Sequence, residues 1–342
     1  MPTTLPGTAR EVRLAAAPDG LPTAADLTVA ETPVRPPAAG EVLVRNSHFL
    51  VFPGLRTLIG GEAGGDVPLP PLHAGDVLFG SAVGEVVAAA DGGRLRPGDA
   101  VGHFLGWREY AVVPEDGCTV LDGALPDPVA HLAQGAAPYR SLTRLTGVRA
   151  GDTVLVTGAS GAVGTLAGQI ARLLGAGRVI GATGSDHKAR RLVEELGCDA
   201  VIRRDHGDLD GQLAAAAPGG IDVLLDTTGG PLLAAALRAA RQDARFALVG
   251  AVSGQLDAGR AGGSAPVELD SFRIVVKGVT LRGFSATDLP AAEAEWTTRF
   301  GTWLRSGEIR FPYVRVPGID AAPRALQEVM AGRHFGAVVV EV

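Results

Sequence analysis

Cysteine is almost missing from this chain: Cys118 and Cys198 are the only two in 342 residues, and they form no CxxC pair. That excludes a four-cysteine structural zinc site and a disulfide framework. No run of about twenty apolar residues is free of polar or glycine interruption, so no membrane span is expected. The opening stretch "MPTTLPGTAREVRL" has no charged segment followed by an apolar run, so no secretory signal is expected either. Lysine occurs only at 188 and 277, although Lys and Arg together number 31. With 37 Asp and Glu, the net charge is −6. This balance excludes bulk binding to nucleic acid or anionic membrane, and any anion site must be local. These absences describe a reduced, cytoplasmic protein with a small-molecule partner.

What is present points to a globular enzyme-sized chain. Hydrophobic residues make up 46% and charged residues 20%, and the length suits two domains. The first part reads as short strands, "GEVLVRNSHFLVF", "GSAVGEVVAAA" and "REYAVVP", broken by turn clusters such as "PPAAG" and "RLRPGDAVG". From about residue 125 strands alternate with helices. "DTVLVTG", "RVIGAT", "GIDVLLDTTGG" and "RFALVGAVSG" read as buried strands. "AVGTLAGQIARLLG" reads as a helix whose apolar face is Val163, Leu166, Ala167, Ile170, Leu173 and Leu174. A second helix, capped by Ser185, is expected to run to about Leu196. Such alternation implies right-handed crossovers and a doubly wound parallel sheet. The expected division is 1–124 mostly β, 125–308 α/β, and 309–342 a returning strand–helix–strand segment.

Between the first strand and the first helix of the α/β part lies "TGASGAVG", with glycines at 158, 161 and 164. Glycine here lets backbone approach a pyrophosphate, and the helix amino terminus offers unpaired N–H groups. Gly158, Ala159, Gly161, Ala162, Val163 and Gly164 are therefore candidate cofactor contacts. The spacing is GxxGxxG, and its strength comes from the strand–turn–helix context. A packing-only glycine turn is the alternative. After the second strand an NAD site usually carries an acid for the ribose hydroxyls. Here stand Thr183, Gly184 and Ser185, which leave room for a 2′-phosphate. Lys188 lies one turn into the next helix, and Arg203 and Arg204 follow the next strand. Two charge-assisted hydrogen bonds from such groups are worth on the order of 10²- to 10⁴-fold in preference for NADPH over NADH. The alternatives are a solvated helix face for Lys188 and Arg190, and Asp186 as a displaced ribose acid.

"GDTVLVTGASGAVGTLAGQIARLLG", "RVIGATGSDHK", "IDVLLDTTGG", "GHFLGWREYAVV" and the terminal "GRHFGAVVVEV" together resemble the medium-chain dehydrogenase/reductase superfamily. Within it they are similar to the zinc-independent, NADP-dependent double-bond reductases of the prostaglandin reductase group. The resemblance implies an α/β Rossmann domain and a GroES-like, mostly β substrate domain completed by the carboxy-terminal segment. It implies NADPH as cofactor and Lys188 as the 2′-phosphate lysine, with Arg204 where a tyrosine is common. It extends the cofactor surface to Thr228, Ala251, Val252, Phe284 and His334, the last at a position often held by asparagine. It also implies a homodimer, with "KGVTLRGF" as the pairing strand. Two departures stand out. Phe52-Pro53-Gly54 replaces Asp-Pro-Tyr, which predicts an enlarged pocket at Gly54, and Gln255 replaces a tyrosine.

Neither cysteine lies in a ligand position suited to zinc chemistry, and "PLHAGD" lacks a His-Glu pair, so no metal is expected. The remaining chemistry is hydride transfer from NADPH to an electrophilic carbon, most naturally an activated alkene. Tyr139 and Ser141 in "AAPYRSLTRL" are the candidate proton donor and hydrogen-bond partner, with a packing role for Tyr139 as the alternative. His73 and His103 read as satisfied turn or core histidines. A quinone oxidoreductase and a cofactor-binding protein without turnover are the other readings of the same features.

Overall fold

The computed structural model describes residues 5–59, 69–259, 262–285, 287 and 289–342. The chain divides into two units: Met1–Leu132 with Tyr313–Arg333 and Ala337–Val342, and Ala133–Pro312 with His334–Gly336.

The first unit begins with β1 (Thr8–Leu14) and β2 (Leu27–Pro33), an antiparallel ribbon. Then follow β3 (Glu41–Val51), α1 (Leu55–Leu58), β4 (Ala82–Ala89), β5 (Ala100–His103), β6 (Tyr110–Pro114) and β7 (Thr119–Val120). Alternate residues of these strands turn to one core: Val42 and Val44, Val86, Val101, and Ala111 with Val113. That is the two-residue period of a sheet with one buried face. His103 is buried in this unit, with Nε2 2.8 Å from Asn46 Oδ1. Burial pulls its pKa down to about 4, so the ring is neutral at pH 7.

The second unit starts at α2 (Ala136–Arg140), which continues as a π-turn over Ser141–Leu145. Six strands and their helices follow. They are β8 (Thr153–Val156), α3 (Ala162–Leu173), β9 (Arg178–Thr183), α4 (Asp186–Glu194), β10 (Ala200–Arg203) and α5 (Leu209–Ala216). Next come β11 (Ile221–Asp226), α6 (Gly230–Arg238), β12 (Ala240–Leu248), α7 (Val252–Gln255), α8 (Ser271–Lys277), β13 (Thr280–Gly283) and α9 (Leu289–Ser306). The sheet order is β10-β9-β8-β11-β12-β13, with every pairing parallel. Its strands are near-continuous apolar runs, as a sheet covered on both faces requires. Val154, Leu155 and Val156 are fully buried, as are Val223, Leu224 and Leu225.

The chain then returns to the first unit through β14 (Tyr313–Pro317), α10 (Ala322–Met330) and β15 (Ala337–Glu341). β15 pairs antiparallel with β3 and parallel with β14. The resulting seven-stranded sheet is mostly antiparallel, so the architecture is a Rossmann-type domain plus a mostly β domain.

Two local expectations change. Helix α3 buries more than its apolar stripe: Thr165 and Gln169 are buried, whereas Val163, Leu173 and Leu174 are only half-buried. The polar Gln169 is tolerated because its amide bonds the backbone of Arg310 in both directions, at 3.0 and 2.8 Å. Strand β12 begins at Ala240, earlier than "RFALVG" suggests, and its register against β11 shifts between Ile221 and Val223.

Candidate functional site

Because all six strands of the second unit run parallel, the turns that follow them gather along one edge of the sheet. That edge is where open α/β sheets hold their ligands.

The turn after β8 is shaped by glycine. Gly158 has φ +57°, and a Cβ there would lie 2.4 Å from Thr227 Oγ1. A Cβ at Gly164 would lie 2.3 Å from the carbonyl oxygen of Gly158. Gly161 is the N-cap of α3 and brings no side chain to its N–H groups, so the amino terminus keeps its anion-binding potential. Ala159 is buried and its N–H bonds the Ala182 carbonyl at 3.0 Å. Ala162 and Val163 form the half-buried first turn of α3. Gly336 donates its N–H to the Ser160 carbonyl at 2.9 Å and bridges Gly161. His334 is half-buried two residues before it.

The turn after β9 carries the charge. Thr183 is buried, with Oγ1 2.9 Å from Ser160 Oγ, which ties the two turns together. Ser185 caps α4 and accepts the Lys188 N–H at 3.5 Å. Lys188 is buried, and burial followed by the charge of Arg204 pulls its ammonium below its ordinary pKa. Arg204 extends beside Gly184: a Cβ on that glycine would stand 2.7 Å from the guanidinium Nε. Gly184 thus lets the arginine close on the backbone here. Asp205 stands against the same glycine, at 2.7 Å from that Cβ position, and is ion-paired with Arg204 at 3.1 Å, so the turn gathers two cations and one acid.

Arg203 does not join them. Its guanidinium is ion-paired with Asp186, and its backbone is clasped by Gln212 at 2.7 and 3.0 Å. Asp186 therefore lies in the first turn of α4, against an arginine. Of the other expected contacts, Thr228 is buried, and Ala251 and Val252 start α7, with the Val252 N–H on the Thr227 carbonyl at 3.1 Å. Phe284 follows β13 and bonds Leu248 at 2.8 Å. Reading the motifs missed Thr157 and Asp226, which end up between two of these turns; a polar residue closing each of two buried strands was the available signal.

The two candidate catalytic hydroxyls lie at the start of the second unit. Tyr139 is buried and donates its hydroxyl to Glu295 Oε1 at 2.8 Å. Its ring packs among Trp296 and Trp303 at about 6 Å, and burial with the Glu295 bond raises its pKa. The Ser141 hydroxyl is fully buried within the π-turn. In the first unit, the Phe52 ring comes within 3.0 Å of where a Cβ on Gly54 would stand.

Cys118 and Cys198 are buried in different units, and burial pushes both thiols up to about 11. Among the described residues, no group of three or more His, Cys, Asp or Glu is placed to hold a metal ion.

Residues 162–302 match the zinc-binding dehydrogenase family, and residues 10–121 match the N-terminal domain of oxidoreductases. YfmJ of Bacillus subtilis, named as an NADP-dependent oxidoreductase, is 31% identical over 97% of each chain. The chain belongs to the medium-chain dehydrogenase/reductase superfamily. Within it, the chain falls in the prostaglandin-reductase-like group of NADP-dependent oxidoreductases. The NADPH-dependent curcumin reductase of Escherichia coli is 29% identical, covering 96% of this chain and 95% of that one. The structure of CurA from Vibrio vulnificus in complex with NADPH aligns with a TM-score of 0.87 at 28% identity. It covers 98% of this chain and 99% of CurA.

Proposed function

We propose that the chain is an NADPH-dependent reductase that transfers hydride to an activated carbon–carbon double bond of an enone or enoyl substrate. The observation that carries this reading is the turn after β9, where Thr183, Gly184 and Ser185 stand in place of an NAD site's acid and Lys188 and Arg204 lie close by. Similarity to a curcumin reductase supports the alkene as acceptor.

In this reading the turn from Gly158 to Gly164 and the amino terminus of α3 receive the pyrophosphate. Thr183, Gly184, Ser185, Lys188 and Arg204 receive the 2′-phosphate, while Arg203 fixes the start of α4 through Asp186. Thr228, Ala251, Val252, Phe284 and His334 complete the cofactor surface. NADPH supplies the hydride when bound, and the chain's own residues orient it. Tyr139 is a packing residue, since its proton is committed to Glu295. Ser141 is enclosed, so water is the proton source. The reaction is zinc-independent in this reading, which the two buried thiols, pushed up to about 11, support.

The first unit is the substrate domain. The chain works as a homodimer in a reducing, cytoplasmic setting, a reading that two free cysteines support. β13 is an edge strand, and beside it on α8 Phe272 and Val275 are 74% and 77% exposed, an apolar surface suited to a second copy. Light scattering should return twice the 34.9 kDa chain mass.

The test is NADPH oxidation with an enone and with a simple quinone. Faster oxidation with the enone is expected. Faster oxidation with the quinone would make the chain a quinone oxidoreductase, and tight NADPH binding with neither oxidation would make it a non-catalytic binder.

A further inference from the structure

The winding of the parallel sheet reverses between β8 and β11, with β9 and β10 on one side and β12 and β13 on the other. In open α/β sheets this is the crevice that receives the ligand. Thr157 follows β8 and Asp226 ends β11, one step beyond the register pair Val156–Leu225. The two sit side by side at the carboxyl ends of neighbouring strands, joined by a hydrogen bond.

Asp226 is 1% exposed. Its carboxylate accepts the Thr157 hydroxyl at 2.5 Å, the Thr228 N–H at 2.9 Å, the Thr228 hydroxyl at 3.2 Å and the Gly229 N–H at 3.0 Å. Among the described residues it has no ion pair, so hydrogen-bond donors alone meet its charge. Thr157 Oγ1 in turn accepts the Thr227 N–H at 2.8 Å, and Thr227 Oγ1 donates to the Thr157 carbonyl at 2.9 Å. The backbone carbonyl of Asp226 takes the Val249 N–H at 2.7 Å, and Ser253 Oγ reaches the Thr228 carbonyl at 2.5 Å. The turns after β8, β11 and β12 are thereby tied to one buried anion. A buried carboxylate without a cation is costly, and an apolar pair would be a cheaper way to fill the space.

We infer that Asp226 is a positioning residue that sets the width of the β8–β11 crevice for the nicotinamide half of the cofactor. It acts through Thr157, Thr227 and Thr228 and does not touch the cofactor itself. The inference rests on the NADPH reading, and the probes separate the two.

Dissociation constants of the full-length protein are measured for NADPH and for adenosine 2′,5′-bisphosphate, which lacks the nicotinamide half. Thr157→Ala is expected to weaken NADPH about tenfold, the equivalent of one charge-assisted hydrogen bond. The bisphosphate should change less than about twofold, because the β9–β10 end is untouched. Thr157→Ser, which keeps the hydroxyl, should restore NADPH binding. Asp226→Asn should follow Thr157→Ala and raise the KM for NADPH more than it lowers kcat. If Asp226→Asn does not fold, the two Thr157 variants decide. Equal weakening of both ligands, no weakening of either, or no rescue by serine would overturn the inference. Wild-type protein that binds neither ligand would overturn the NADPH reading instead.

Discussion

The two ends of the same parallel sheet edge are built from opposite materials. After β9 and β10 the residues are charged: Lys188 is buried with a lowered pKa, and Arg204 is exposed and ion-paired with its neighbour Asp205. After β8 and β11 they are neutral hydroxyls and glycines arranged around one fully buried carboxylate, Asp226. The first arrangement is an exposed cluster of charges; the second is a buried hydrogen-bonded network. In the proposed reading, the first decides which cofactor is accepted and the second decides where it lies. Variants at the two ends should therefore fail in different ways. Changes at the β8–β11 end should weaken NADPH and NADH together, whereas changes at the β9–β10 end should alter their ratio.

The largest effect is expected at Gly158. Alanine there must adopt a left-handed backbone, and its Cβ would collide with Thr227 Oγ1 at 2.4 Å. The strain and overpacking cost about 3 kcal/mol together. Affinity for both cofactors should fall about 100-fold with their ratio unchanged. Selective loss of NADPH alone would erase the distinction between the two ends.

Lys188→Met comes next. Removing one charge-assisted bond should weaken NADPH by roughly 10- to 100-fold and leave NADH within about twofold. The same lysine gives a pH signature. Its pKa in the free protein is lowered, and a bound phosphate favours the charged form. NADPH affinity should therefore decline as pH rises through that lowered value, and NADH affinity should stay flat. A matching pH slope for both cofactors would remove Lys188 from the phosphate site. Gly184→Ala should act more mildly. Its new methyl meets the movable ends of Arg204 and Asp205 rather than backbone, so about a fivefold loss of NADPH preference is expected, roughly 1 kcal/mol.

Much of this edge was legible in the sequence because its signals are local. Buried β-branched runs marked β8, β9 and β11, and glycines at fixed offsets marked the turn that follows β8. A helix cap at Ser185 placed Lys188 one turn in. What could not be read depends on partners far apart in the chain. Thr157 meets Asp226 across 69 residues, and Tyr139 meets Glu295 across 156. An aspartate closing a strand reads as an ordinary turn residue until its partner is known. Arg203 and Arg204 are neighbours, yet β10 ends at Arg203 and Arg204 opens a 3-10 turn, so they meet different partners, Asp186 and Asp205 beside Gly184.

Tyr139→Phe should have the smallest effect. Losing the bond to Glu295 costs about 1 kcal/mol of stability, with kcat and NADPH affinity unchanged. A loss of turnover without a loss of binding would restore Tyr139 as the acid.

The most direct check is a titration of the wild-type protein with NADPH and with NADH under one buffer and salt condition. The Lys188–Arg204 pair predicts tighter binding of NADPH by on the order of 10²- to 10⁴-fold. Equal affinities would mean that no 2′-phosphate is recognised after β9, and would contradict the assignment.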